Sequence, residues 1–133
     1  MFLLDTNVIS ELRKPKPHGA VLAWVKAANN SQLHLAAITL AEIQAGIEIT
    51  RKQDPLKAEE IELWLEEIAN SYNVIPMGGT EFRCWARLMH HQSDELYEDA
   101  MIAATAIVHG LTVVTRNVTD FAPFKVPILN PFV

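Results

Sequence analysis

Hydrophobic positions along the chain alternate between short apolar runs and longer stretches with helical spacing. The runs have the length of buried strands and occupy Phe2–Leu4, Leu33–Ala37, Asn73–Pro76, Leu111–Val114 and Val126–Leu129. Between them, apolar residues recur three and four positions apart, which predicts helices. Alternating strands and helices favour an α/β fold, with a mostly parallel sheet of about five short strands and helices on both faces.

The most informative stretch is 99–121, DAMIAATAIVHGLTVVTRNVTDF. Asp99 begins a nearly all-apolar helix, which is typical of a buried helix. Gly110 suits the C-terminus of this helix because glycine tolerates positive φ. The strand Leu111–Val114 follows and runs antiparallel to the helix. We therefore expect Asp99 and Asp120 at the same edge of the sheet, the edge where ligands bind in open α/β folds.

Two helices follow one another without an intervening strand, at about 39–72. Thr39 and Glu42 form a T-x-x-E capping-box pattern at the start of the first helix. Pro55 suits the first turn of the second helix. We expect this pair to form a projecting hairpin on a single domain that spans 1–133.

Composition narrows the classes of function. The 133-residue chain is 50% hydrophobic, carries a net charge of −5 and has one cysteine. The negative charge argues against nucleic-acid binding by bulk charge alone, although metal ions would neutralise clustered acids in a nuclease. One cysteine cannot form an intrachain disulfide, and the N-terminus lacks the basic region of a signal peptide. A cytoplasmic protein without a membrane span is expected.

Four acids map to the carboxyl edge of the predicted sheet, namely Asp5, Glu42, Asp99 and Asp120. Each has an ordinary explanation, such as a capping role for Glu42 or a turn for Asp120. Together they repel, because two carboxylates ~4 Å apart cost roughly 4 kcal/mol at an effective dielectric near 20. Such a cluster needs either protonation or a cation. All-oxygen ligands suit Mg²⁺ or Mn²⁺ better than zinc, and the predicted chemistry is metal-assisted phosphodiester hydrolysis.

Four segments resemble the PIN-domain family, and more narrowly the VapC-type toxins of bacterial toxin–antitoxin pairs. They are LLDTNVISEL (3–12), TLAEIQAGI (39–47), the 99–121 stretch and the ending NPF (130–132). The resemblance implies a PIN-like fold and a Mg²⁺- or Mn²⁺-dependent endoribonuclease that cuts a structured RNA such as tRNA. It also implies a homodimer and a cognate VapB-type antitoxin whose tail blocks the acidic groove.

The resemblance also assigns roles to the acids. Carried over by position, Asp5 and Asp99 would be the most secure metal ligands. Glu42 and Asp120 would ligate through water, or help to orient and deprotonate the attacking water. No acid of the family pattern is missing, so nothing marks this chain as inactive.

Neighbouring polar residues match the family pattern as well. Asn7 and Thr115 occupy positions that support the carboxylates, and Asn117 is a candidate for the same role. Arg116 is a candidate phosphate contact, with an exposed loop charge as its ordinary explanation. Glu98 stands where relatives often carry an uncharged residue, and the resemblance gives it no role.

Two alternatives stay open at this point. Relatives resembling FitB act mainly with a DNA-binding antitoxin, so the chain could serve in operator DNA binding and autoregulation through that antitoxin. A phosphatase with an aspartyl nucleophile would also carry an acid after its first strand. However, Asp5-Thr6-Asn7 lacks the second aspartate of the D-x-D pattern those enzymes use.

Overall fold

The strands form one fully parallel sheet. The computed structural model describes all 133 residues, and its five strands have the order β3-β2-β1-β4-β5. Their bounds are β1 Phe2–Leu4, β2 Leu33–Ala36, β3 Asn73–Ile75, β4 Thr112–Val114 and β5 Ile128–Leu129. The predicted α/β class is confirmed, and the N-terminal strand β1 lies at the centre of the sheet.

Seven α-helices connect the strands. Their bounds are α1 Thr6–Glu11, α2 Gly19–Ala27, α3 Ala37–Arg51, α4 Pro55–Ser71, α5 Gly79–Met89, α6 Tyr97–His109 and α7 Val118–Phe121. The sequence pattern indicates all but α7. As predicted, α6 ends at Gly110, whose φ of +68° is left-handed. None of the helices combines the length and apolar character that crossing a bilayer requires.

Apolar side chains pack on both faces of the sheet, because successive residues of a strand point to opposite faces. Leu3 belongs to a cluster of 11 buried residues that includes Ala103 of α6. Its neighbour Leu4 belongs to a second cluster of 11, with Ile47 of α3 and Leu65 of α4. The predicted helices on both faces are therefore confirmed, and the sheet is fixed from both sides.

The helix α3 begins two residues before the predicted start. Its N-cap is Ala36, which provides no side-chain capping hydrogen bond. The predicted capping box of Thr39 and Glu42 is therefore wrong, and Glu42 lies in the second turn of the helix. Thr39 is fully buried and contacts the hydroxyl of Thr6 in α1, so a contact between helices replaces the cap.

The helices α3 and α4 pack against each other over the region for which a projecting hairpin is predicted. An ionic cluster joins them, in which Arg51 pairs with Glu48, Glu59 and Glu62. Their apolar stripes join the core under β1 and β2. How far the pair projects beyond the sheet stays a prediction.

Candidate active site at the carboxyl edge of the sheet

Asp5 is the most tightly held acid at this edge. It follows β1 and is the N-cap of α1, where its Oδ1 accepts a 2.7 Å hydrogen bond from the Thr6 amide. Its Oδ2 accepts hydrogen bonds from Thr115 Oγ1 at 2.7 Å and from Asn7 Nδ2 at 3.1 Å. Only 4% of Asp5 is exposed. Three donors therefore fix the orientation of a nearly buried carboxylate.

The loop after β4 supplies one of the two shortest of these hydrogen bonds. Thr115 is fully buried, and its amide donates to the Leu129 carbonyl at 2.9 Å, which continues the pairing of β4 with β5. Because its hydroxyl proton goes to Asp5, its oxygen is free to accept the Asn117 amide at 2.9 Å. The structure thus places Asn7 and Thr115 against Asp5, while Asn117 contributes through its backbone.

Glu42 reaches the same edge from α3. Its Oε1 lies 2.8 Å from Thr6 Oγ1, and that hydroxyl lies 3.1 Å from Thr39 Oγ1. A hydroxyl has a single proton, so Thr6 donates to Glu42 and accepts from Thr39. Thr6 therefore contacts two acids of the site. Its hydroxyl donates to Glu42, and its amide donates to Asp5.

Asp99 and Asp120 approach from the other side of β1. Asp99 is half-buried in the first turn of α6, and Asp120 is exposed in the short helix α7. Exposed Glu98 adjoins Asp99, and its charge acts on both Glu42 and Asp99. The four predicted acids thus share one electrostatic neighbourhood, and Glu98 joins them.

Burial and the neighbouring charges together raise the pKa of three of these acids. Desolvation is the largest cause for Glu42, whose pKa rises to about 7 with further contributions from Asp5, Glu98 and Asp99. Desolvation also raises the pKa of Asp99 to about 6, with the charges of Asp5 and Asp120 next. The pKa of Asp5 is raised by burial, although its hydrogen bonds oppose the rise. Like charges gathered at low solvent exposure favour either protonation or a bound cation.

The donor set is chemically suited to a hard divalent cation, since it consists of carboxylate oxygens with hydroxyl and amide groups behind them. No group of three or more His, Cys, Asp or Glu side chains is close enough to close around one ion. Asp5, with two oxygens already hydrogen-bonded, is oriented in advance. Asp99 makes no side-chain hydrogen bond that would compete with a ligand role.

The Arg116 side chain packs against Phe132 and forms no ion pair with the acids. Its guanidinium lies 4.3 Å from the ring centroid of Phe132, in the NPF ending, and its charge helps to lower the pKa of Glu11. Its amide donates to Asn7 Oδ1 at 3.3 Å. Arg116 therefore contributes to the site through its backbone and its packing, and its predicted phosphate contact stays a prediction.

Sequence reasoning missed two hydroxyls, those of Thr6 and Thr39. Thr6 follows Asp5 directly, and a polar residue next to an acid at a strand end was a usable signal. Thr39 precedes Glu42 by three residues, the spacing of neighbours on one helix face. The T-x-x-E pattern predicts a cap, although the same spacing places both side chains toward the site.

The fold and the site together define a class of protein: an all-parallel α/β domain that gathers acidic side chains at the carboxyl edge of its sheet. The chain belongs to the PIN domain family, whose profile matches residues 2–122. That match covers all five acids described above.

Several relatives align over the whole chain. "VapC ribonuclease Y4jK" of Sinorhizobium fredii is 37% identical over an alignment of 143 positions, which covers 99% of this chain and 98% of that protein. "Toxin FitB" of Neisseria gonorrhoeae is 34% identical over 146 residues, with 99% of each covered. The crystal structure of FitAcB from Neisseria gonorrhoeae is similar with a TM-score of 0.87 and 32% identity, covering 99% of both chains.

Proposed function

We propose that this chain is an endoribonuclease toxin of a toxin–antitoxin pair, which hydrolyses RNA phosphodiester bonds with Mg²⁺ or Mn²⁺. The observation that carries the proposal is the convergence of Asp5, Glu42 and Asp99, whose pKa values are all raised. The ribonuclease and toxin names of full-length relatives support the same reaction and role.

Asp5 and Asp99 are the residues proposed to hold the cation directly, with Glu42 and Asp120 acting through water. The cation, when bound, lowers the pKa of a coordinated water and neutralises charge on the phosphate. The chain's own contribution is positional, because Thr115, Asn7 and the Thr6 amide fix Asp5 before any ligand arrives.

Glu42 is the proposed group that receives the proton of the attacking water. Without a cation its pKa is about 7, so Glu42 is a carboxylate that exchanges a proton near neutral pH. The hydrogen bond from Thr6 Oγ1 occupies its Oε1, so Oε2 is the atom left to accept a proton. Deprotonated Glu42 is favoured once a cation lies nearby, because the cation offsets the repulsion from the other acids.

The proposed partners are a cognate VapB-type antitoxin, a second copy of this chain and, through the antitoxin alone, operator DNA. A similar structure with 32% identity and a TM-score of 0.78 is described as FitAB bound to a DNA fragment, and this supports a complex that reaches DNA. The net charge of −5 agrees with DNA contact through a partner rather than through this chain.

The test is RNA cleavage by the purified chain with Mg²⁺ or Mn²⁺, with and without EDTA. Asp5→Asn and Asp99→Asn are expected to lower the rate at least ~100-fold. Asp94→Asn, the same chemical change at an exposed acid outside the site, is the matched control. A second readout is thermal stability, which Mg²⁺ should raise in the wild type and in Asp94→Asn but not in Asp5→Asn.

The outcomes separate the ribonuclease from the FitB-like alternative. Growth arrest on expression without antitoxin, lost in Asp99→Asn, supports the enzyme. If Asp5→Asn cleaves RNA as fast as the wild type, the proposed site is wrong. Operator binding with the antitoxin, without cleavage or toxicity, would favour the role in DNA binding and autoregulation.

A further inference from the structure

A groove of about 270 Å³ leads away from the acids between α1, α3 and α4. Thr6 and Glu42 of the site line it, together with Arg13 and Trp64. Along α3 it extends from Glu42 to Thr50, eight residues or about 12 Å of helix rise. That length matches a few nucleotides at the ~3.4 Å spacing of stacked bases.

Gly46 forms part of the groove wall in the middle of α3. Glycine inside a helix is less favourable than alanine. No packing explains its presence, because a Cβ added at Gly46 would meet nothing within 4 Å. A side chain at this position would fill the groove, so Gly46 keeps the groove open.

Arg13 supplies an uncommitted positive charge to this groove. Two cations near it are engaged, since Lys14 pairs with Glu11 at 2.9 Å and Lys57 lies 3.5 Å from Glu60. Arg13 is exposed and forms no ion pair. In a chain with a net charge of −5, a free guanidinium next to a groove is a local site for an anion.

Trp64 is half-buried against the core and lines the groove beside that charge. The Arg13 Cζ lies 6.0 Å from the ring centroid, at the outer limit of a cation–π contact, so the guanidinium is not held against the ring. Aromatic rings and arginine planes are the surfaces on which unpaired bases stack in proteins that bind single-stranded nucleic acid. Hydroxyls of Ser10 and Thr50 add polar lining.

We propose that this groove binds the unpaired strand of the RNA substrate next to the scissile phosphate, with a base stacked on Trp64 and a phosphate on Arg13. The proposal rests on the ribonuclease function proposed above and adds the part of the substrate that is recognised. A structured RNA would thus be cut where a loop or end presents unpaired nucleotides. Duplex RNA, whose bases are already stacked, would not enter.

Binding of a short single-stranded RNA, measured by fluorescence anisotropy in EDTA so that the strand stays intact, tests the contacts. Trp64→Ala should weaken binding roughly 5- to 150-fold, and Trp64→Phe should restore most of it. Arg13→Gln should reduce the slope of log K against log salt by about 0.7, the value for one phosphate on a single strand. Lys26→Gln, an exposed cation in α2, should leave both unchanged.

A variant that adds volume tests the groove without removing any contact. Gly46→Leu should weaken RNA binding at least tenfold and leave the thermal stability equal or higher. Ala45→Leu, at the exposed neighbouring position outside the groove, is the matched control and should bind normally. A loss of affinity equal in both variants would overturn the proposal.

The remaining outcomes separate this inference from the proposed function. If Gly46→Leu and Trp64→Ala cleave RNA with metal as fast as the wild type, the proposed ribonuclease function stands and the proposal that the groove binds RNA is refuted. Variants that bind RNA normally but no longer bind the antitoxin would make the groove a protein-binding surface instead. If no RNA is cleaved under any condition but RNA still stacks on Trp64, the proposed ribonuclease function is wrong and the proposal that the groove binds RNA stands.

Discussion

Thr115 donates a 2.7 Å hydrogen bond to Asp5, although 110 residues separate them in the chain. The bond forms because β1 and β4 are neighbours in the sheet, with Leu4 opposite Val114. Both strands end at this pair, so the first residues beyond them, Asp5 and Thr115, meet. The tertiary pairing of two strands thereby orients the most buried acid of the site.

Replacing Thr115 by valine should therefore damage the site more than the fold. The change keeps the shape and removes the hydroxyl, which leaves Asp5 Oδ2 with one donor fewer. We expect a loss of about 1–3 kcal/mol in unfolding free energy and a 10- to 100-fold fall in cleavage rate.

Thr105→Val is the matched control, because the buried Thr105 hydroxyl bonds only to the Met101 carbonyl within α6. Its effect on cleavage should be small. Equal rates for the two valine variants would show that the Thr115 hydroxyl does not support Asp5.

The raised pKa values of Glu42 and Asp99 predict that the metal-free protein loses stability as pH rises. Their folded-state pKa values of about 7 and about 6 exceed the ordinary 4.5 and 3.8. Between those limits the folded state binds more protons than the unfolded state, so the unfolding free energy falls from about pH 4 to about pH 7.

Denaturant unfolding in EDTA across this range checks the prediction. Glu42→Gln should flatten the curve and, at pH 8, gain on the order of 1–2 kcal/mol over wild type after allowance for solvent screening. Mg²⁺ should stabilise the wild type more at pH 8 than at pH 5. A wild-type stability that rises steadily through this range would contradict the predicted repulsion.

Glu81 should matter for stability and not for cleavage. Its Oε1 accepts the Gly78 amide at the start of α5, at 2.8 Å, and its Oε2 lies 2.9 Å from His109 Nε2. Hydrogen bonds from the Glu81 and Gly78 backbone amides, and then the contact with His109, lower the Glu81 pKa. Its contribution is thus present above pH 4.5 and lost as pH falls through the lower folded value.

Glu81→Ala should lower the melting temperature by a few degrees at pH 7, and the difference should vanish in strong acid. The cleavage rate per folded molecule should equal that of the wild type. A melting temperature that differs equally at both pH values would show that packing, rather than charge, explains the effect.

Phe132 should act on the site through Arg116. The ring holds the guanidinium at 4.3 Å, and the Arg116 amide donates to Asn7, which in turn supports Asp5. Phe132→Leu removes the cation–π contact, worth about 0.5–1 kcal/mol at an exposed site, and should slow cleavage severalfold.

The double variant Phe132→Leu with Arg116→Gln should cleave no more slowly than the slower single variant, because both changes remove the same contact between Arg116 and Phe132. Deleting Val133, which is 96% exposed, is the control and should have no effect. Rates that fall multiplicatively would mean that the two residues act separately.

The sequence predicts the edge of the sheet well and the contacts within it poorly. Asp5 and Asp99 are placed correctly because a strand and a buried helix have strong periodic patterns, and parallel topology fixes which ends meet. Glu42 shows the limit: its spacing from Thr39 fits a cap and a shared helix face equally. The deciding partner, Thr6, lies 36 residues away from Glu42.

Arg116 shows the same limit for the direction in which a side chain points. Its position beside the acids follows from the pattern, but the side chain lies over Phe132, a choice made by packing of the chain end. Helix α7 escapes prediction because four residues are too few for a periodic signal. What sequence reasoning lacks in each case is a contact between distant segments.

The central place of β1 in the sheet has a consequence for the order in which the protein becomes active. A ribosome makes the first strand early, yet the hydroxyl that steadies Asp5 is translated 110 residues later, a delay of roughly 5–20 s at 5–20 residues per second. Nascent chains therefore carry Asp5 through this interval without an assembled site. Any activity of the site therefore waits until the segment that carries Thr115 has left the ribosome and β4 has paired with β1.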